Sequence, residues 1–216
     1  MIFVFAMIAL AYTCRMLDMY DIGNGYPGNV RAALYIVLLA LWGYSIDRRI
    51  IQKPVLHCLR LTDALMLLWL ILRTLKYEVI TDLTVARYLW YLYYLPMLFI
   101  PLLGVYIAMS LGKSEEYRLS GKTQLLTIIP ALLFLCVITN DLHQKVFTFK
   151  SGIPGNPGNG PYYHNVVYFF CLAWMVGCMI FTVVHIFKNS RVSNVGKRRV
   201  MPFVFCCVTI LYGVLY

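Results

Sequence analysis

The side chains best suited to chemistry fall in two short stretches. In the first, Arg87, Trp90 or Tyr91, Tyr94, Leu98 and Pro101 recur at steps of three and four, so on a helix they share one face. Tyr88, Trp90, Tyr91, Tyr93 and Tyr94 crowd the opening turns. An arginine set among aromatic rings can hold a ring or an anionic headgroup, which makes an aromatic-walled pocket one reading of this face. An aromatic belt at a membrane boundary is the other. Pro96 and Pro101 each remove a backbone donor, so a kink is expected here.

The second stretch, Thr139 to Gln144, reads Thr-Asn-Asp-Leu-His-Gln. Asn140 and Asp141 can hydrogen-bond the last turn of a preceding helix. His143 carries an imidazole, the group type that senses protons or binds metals. Helix capping alone also accounts for such residues. Arg60 and Asp63 are three apart inside an apolar run and are expected to form an internal ion pair, since an unpaired charge at that depth is expensive. The seven cysteines include no Cys-x-x-Cys, and the chain shows no metal-ligand spacing and no cofactor motif. It also lacks a P-loop, His-Glu-x-x-His, Gly-x-Ser-x-Gly and a paired set of intramembrane carboxylates, so nothing in this segment points to an enzyme.

The elements that must position these residues are membrane helices. Of the 216 residues, 61 % are hydrophobic and 13 % charged, about half the charged share of a soluble domain. A bilayer span takes roughly 20 predominantly apolar residues, because its backbone polar groups must be satisfied within the helix. Candidate spans are Ile2–Met19, Ala32–Ile46, Val55–Leu75, Arg87–Leu111, Leu125–Thr139, Val166–Phe187 and Val200–Tyr216. The expected fold is an all-α polytopic bundle of about seven helices.

The net charge of +10 lies in the connecting loops and not on one face of a folded domain, which argues against nucleic acid as a partner. Loops after the second, fourth and sixth spans hold eleven Lys and Arg against seven in the alternate loops. The positive-inside rule therefore puts Met1 in the cytoplasm and Tyr216 outside. Both candidate clusters then fall at the outer boundary. The turn-rich loops Asp18–Arg31 and Ser151–Pro161 fall on the same side, either as plain connections or as a lid. Because the last span stops at Tyr216 without a polar flank, the chain is expected to continue.

Three stretches resemble the seven-helix N-terminal sensor region of bacterial histidine kinases: RYLWYLYYLPMLFIPLL from Arg87, LLTIIPALLFLCVITNDLHQKVF from Leu125, and the basic loop KNSRVSNVGKRR. In that family an Arg and aromatics open a Pro-containing helix, and the next helix carries Ile-Ile-Pro and ends in Thr-Asn-x-x-His. Those positions here are Ile128, Ile129, Pro130, Thr139, Asn140 and His143.

The resemblance spans about Arg31 to Tyr216. It implies that residues 1–30 are an added helix and outer loop ahead of a sensor domain at 31–216, with the family's last helix beyond Tyr216. It further implies a bacterial cytoplasmic membrane, an external or in-membrane small-molecule or lipid stimulus, and a cytoplasmic kinase or other output module. The expected ligand-binding set is Arg87, Trp90, Tyr91, Tyr94, Asn140, Asp141 and His143. A homodimer is a further expectation. A small-molecule or lipid transporter, with Arg60, Asp63 and the prolines lining a path, and a non-catalytic scaffold are the competing readings.

Overall fold

In the computed structural model the described residues are 26–49, 52–111, 119–149 and 162–189, with scattered positions among 10–20 and 113–117. The expected span Val200–Tyr216, the ribbon Ser151–Pro161 and two thirds of Ile2–Met19 lie outside them.

Among the described residues the apolar runs form helices, joined by short polar helical turns. These are α1 (Tyr26–Arg49), α2 (Lys53–Thr74), α3 (Leu83–Leu92), α4 (Tyr94–Ser110), α5 (Gly121–Gln124), α6 (Ile128–Ile138), the single turn α7 (Asn140–His143) and α8 (Val166–Asn189). Among the described residues, five stretches are long and apolar enough to cross a bilayer: Val30–Arg48, Lys53–Tyr77, Leu83–Ser110, Gly121–Ile138 and Val166–Ile186. Their outer faces carry exposed Val37, Leu41, Leu132, Leu135, Phe169, Phe170 and Ile180. So much contiguous apolar surface suits lipid, not water. The chain is an all-α polytopic membrane bundle.

The span Leu83–Ser110 is the centre of the bundle. It starts on Asp82, whose carboxylate accepts from the amides of Thr84 at 2.7 Å and Val85 at 3.1 Å, capping the otherwise unpaired first turn. The helix breaks at Tyr93, where the amide turns back to the Trp90 carbonyl at 3.2 Å. Pro96 causes this, because it has no N–H to give the Leu92 carbonyl four residues earlier. The expected kink is therefore a change of segment three residues ahead of the first proline, and Pro101 lies inside α4. α4 packs against α2 and α8, α1 packs against α2, and α6 packs against α4 and α8. Trp174 of α8 donates its indole N–H to the Leu98 carbonyl of α4 at 3.1 Å, tying the two helices one turn from Pro101.

One sequence expectation fails in the bundle. Arg60 does not pair with Asp63; its Nε donates to Asp47 Oδ1 at 2.7 Å, on α1. Side chains on a helix lean toward its N-terminus. Arg60 thus reaches away from Asp63, toward the end where the antiparallel α1 finishes with Asp47. Asp63 instead abuts Gly43, where any Cβ would overlap its carboxylate. The ion pair is solvent-facing on both sides, so it contributes little to stability.

A two-stranded antiparallel hairpin completes the structure, with β1 (Phe147–Phe149) paired to β2 (Tyr162–His164). Its register sets Phe147 opposite His164 and Phe149 opposite Tyr162.

Candidate functional site

The first cluster of the sequence folds inward. Tyr91, Tyr94 and Leu98 are fully buried and Trp90 nearly so, as their common face requires. The face is not an open pocket. Phe147 of β1, itself fully buried, fills its centre, with its ring 4.5 Å from Trp90, 5.7 Å from Tyr94 and 6.4 Å from a parallel Tyr91. Tyr162 and Tyr168 close the same ring cluster from the hairpin and α8. Tyr88, by contrast, stays exposed.

What delivers Phe147 is Asn140. Its side-chain Oδ1 accepts from the amides of Val146 at 3.0 Å and Phe147 at 2.9 Å. Its Nδ2 donates to the Phe147 carbonyl at 3.0 Å and to Tyr91 Oη at 3.2 Å. Both donors and both acceptor positions of this fully buried amide are used. To make those contacts the chain must reverse after α7. It does so at Gln144, which adopts the left-handed conformation (φ 49°) and gives its amide to the Asn140 carbonyl at 2.6 Å. Asn165 secures the far side, donating to the Gln144 carbonyl and to Thr148 Oγ1.

A charged network sits on top of this clamp. Tyr91 Oη accepts from Asn140 and donates to Asp141 Oδ1 at 2.7 Å. Asp141 Oδ2 lies 3.0 Å from Arg87 Nη2, with both side chains mostly buried. The Arg87 guanidinium also stands 5.5 Å above the Phe149 ring. Its Nε is buried and has no acceptor among the described residues. Among the described residues the Arg87 Nε donor is thereby left to be satisfied.

His143 lies beside this network and is held in a defined tautomer. Its Nδ1 accepts from the Lys145 amide at 2.9 Å, so the ring proton must be on Nε2. That nitrogen donates to the Cys136 carbonyl at 3.1 Å and approaches Thr139 Oγ1 at 3.3 Å. Burial, with Tyr168 and Tyr77 nearby, pushes the Tyr162 hydroxyl above the usual tyrosine range.

The structure therefore joins Arg87, Trp90, Tyr91, Tyr94, Asn140 and Asp141 into one cap, whereas His143, on the same turn as Asp141, is bonded to Cys136, Thr139 and Lys145. Trp90 and Tyr94 are packing, Tyr91 joins that packing to the polar network through its hydroxyl, Asn140 is a clamp, Arg87 and Asp141 carry the polar rim, and His143 flanks it. Sequence reasoning missed Phe147, Phe149, Tyr162, His164 and Tyr168. Their signal was two aromatic triplets, Phe-Thr-Phe and Tyr-Tyr-His, flanking a Gly- and Pro-rich ribbon, a pattern that favours a hairpin. No group of three metal-ligating side chains occurs among the described residues.

Residues 30–216 match the family model described as the N-terminal 7TM region of histidine kinase. No curated protein and no solved structure matches the chain.

Proposed function

Because the chain belongs to the family of N-terminal 7TM regions of histidine kinases, whose role is sensor input, we propose that the cap of Arg87, Asp141 and His143 is where the stimulus acts. The observation that carries this reading is the buried Nε of Arg87, which meets no acceptor among the described residues, beside an Asp141 already shared with Tyr91. A stimulus with an anionic or carbonyl acceptor would satisfy that donor and compete with Asp141. Arg87 stands on α3 and Asp141 on α7, so any change in their pairing alters how α3 and α6 meet. Such a ligand shifts the two packings only by its differential affinity for them.

In this reading residues 1–30 supply an added helix and outer loop, residues 31–216 form the sensor domain, and the cap faces outward across a bacterial cytoplasmic membrane. A cytoplasmic kinase or another output module receives the signal. Trp90, Tyr91, Tyr94 and Asn140 hold the cap's shape and do not contact the stimulus.

The test uses the full-length protein in membrane vesicles, with autophosphorylation as the readout. Arg87→Lys keeps the charge but removes the guanidinium fork and Nε, and Asp141→Asn keeps the shape but removes the charge. With both variants folded and monodisperse, the basal output or the response is expected to change about fivefold or more. Wild-type output and response in Arg87→Lys, Asp141→Asn and His143→Gln together would remove the cap from the signalling role.

A further inference from the structure

A cavity of about 550 Å³ opens where α4, α8 and the start of the span Gly121–Ile138 meet. Leu102 and Met109 line it from α4, Ala173 and Phe181 from α8, and Lys122 and Leu126 from the third wall. That span finishes beside the cap, so Lys122 at its start marks the opposite end of the bundle. The volume lies inside the range of about 300–1,000 Å³ for ligand pockets.

Polar ties hold the walls in place. The Trp174 indole on the Leu98 carbonyl fixes α8 to α4 at the deep end of the cleft. Tyr106 fixes α4 to the third wall, donating to the Thr123 carbonyl at 3.2 Å and sharing a hydrogen bond with Thr127 Oγ1 at 2.8 Å. Between these ties the space is open. At Gly177, which lines the cavity midway along α8, an added Cβ would meet no atom within 4 Å. From Ala173 to Phe181 the lining runs about 12 Å along the helix axis, most of the roughly 15 Å of hydrocarbon in one leaflet.

An apolar cleft on the flank of a membrane bundle offers water too few hydrogen-bond partners, so hydrocarbon is its natural filler. Lys122 is the one charged group among the described lining residues, and it meets no carboxylate among the described residues. Its ammonium suits a phosphate, and the Thr123 hydroxyl stands next to it in the lining. We propose that the cleft binds one acidic phospholipid, with the phosphate on Lys122 and Thr123 and one acyl chain laid past Met109, Leu126 and Gly177 toward Ala173. The site lies at the far end from the cap, and its occupancy does not depend on the cap's role. A chain seated there bears on α4 and α8 together.

The experiment is native mass spectrometry of the purified full chain in a neutral detergent, titrated separately with phosphatidylglycerol and with phosphatidylcholine of the same acyl chains. Phosphatidylglycerol is expected to bind with one-to-one stoichiometry, and phosphatidylcholine about fivefold or more weakly. Lys122→Gln should bring phosphatidylglycerol down to the level of phosphatidylcholine, and Lys122→Arg should keep the preference. Lys188→Gln removes the same charge from the exposed last turn of α8, outside the cleft, and should change little. Gly177→Leu places a side chain in the open space and should weaken both lipids about tenfold or more, without lowering the thermal midpoint, because leucine is the better helix former. Equal affinity of the wild type for the two lipids, equal losses in Lys122→Gln and Lys188→Gln, or unchanged binding in Gly177→Leu would overturn the proposal. Binding of neither lipid would also overturn it, and would mean that protein fills the cleft.

Discussion

Asn140→Ala is expected to destabilise the protein by at least about 3 kcal/mol, read as a fall in thermal midpoint in detergent. The substitution removes one small amide yet strands four partners: the amides of Val146 and Phe147, the Phe147 carbonyl and Tyr91 Oη. Each buried backbone group left unpaired costs about 1–3 kcal/mol, and alanine offers nothing in return. The loss should concentrate in the cap, with hydrogen exchange rising first at residues 144–149. A small loss with the hairpin still protected would show that water replaces the amide and that Asn140 is free to serve another purpose. This outcome also decides how functional data on Asn140 are read, since a signalling defect in Asn140→Ala reports a broken clamp before it reports a lost ligand contact.

Phe147→Ala carries the second large effect, about 3–5 kcal/mol, the range for truncating a fully buried aromatic. Phe147 is in contact with rings from α3, α4, the hairpin and α8, so the void would lie where four elements meet. Tyr162 and Trp90, at 5.8 Å and 4.5 Å, are the side chains placed to collapse into it. Phe147→Leu should recover more than half of the loss by refilling the volume. If Phe147→Ala proves nearly neutral, the aromatic cluster is a loose boundary belt and the packed-core description of the cap is wrong. The same variant tests the link between cap and hinge, because Tyr94 opens α4 immediately after the break at Tyr93.

Much of this architecture could be read from apolar run length alone, since lipid leaves a crossing backbone no partner except its own helix. The inward face of the central span was equally legible: Arg87, Tyr91, Tyr94 and Leu98 fall in helical step, and the last three are fully buried. Residues that meet across long separations were not. Spacing showed that Trp90, Tyr91 and Tyr94 share a face, but not that Phe147, more than fifty positions later, returns to fill it. The pair Arg60–Asp63 failed for the same reason. Neighbours on one helix are visible in a sequence, whereas Asp47 belongs to another helix and becomes a neighbour only after α1 and α2 pack. Asn140 illustrates a third limit. A polar residue at a helix end is equally compatible with a ligand contact and a structural clamp, and only its four internal hydrogen bonds assign it to the clamp.

The sensor reading requires the cap to face outside the cell, and the most direct measurement is labelling of an introduced cysteine with a membrane-impermeant maleimide. Leu142, between Asp141 and His143, is 86 % exposed, and the five described native cysteines are buried or half-buried, so Leu142→Cys is read against the same protein with Cys206 and Cys207 replaced by Ser. In intact cells Leu142→Cys should label readily, while Lys113→Cys at the opposite end of the bundle should label only after permeabilisation. Labelling of Lys113→Cys in intact cells, with Leu142→Cys protected until the membrane is opened, would place the cap in the cytoplasm and contradict its role as the receiver of an external stimulus.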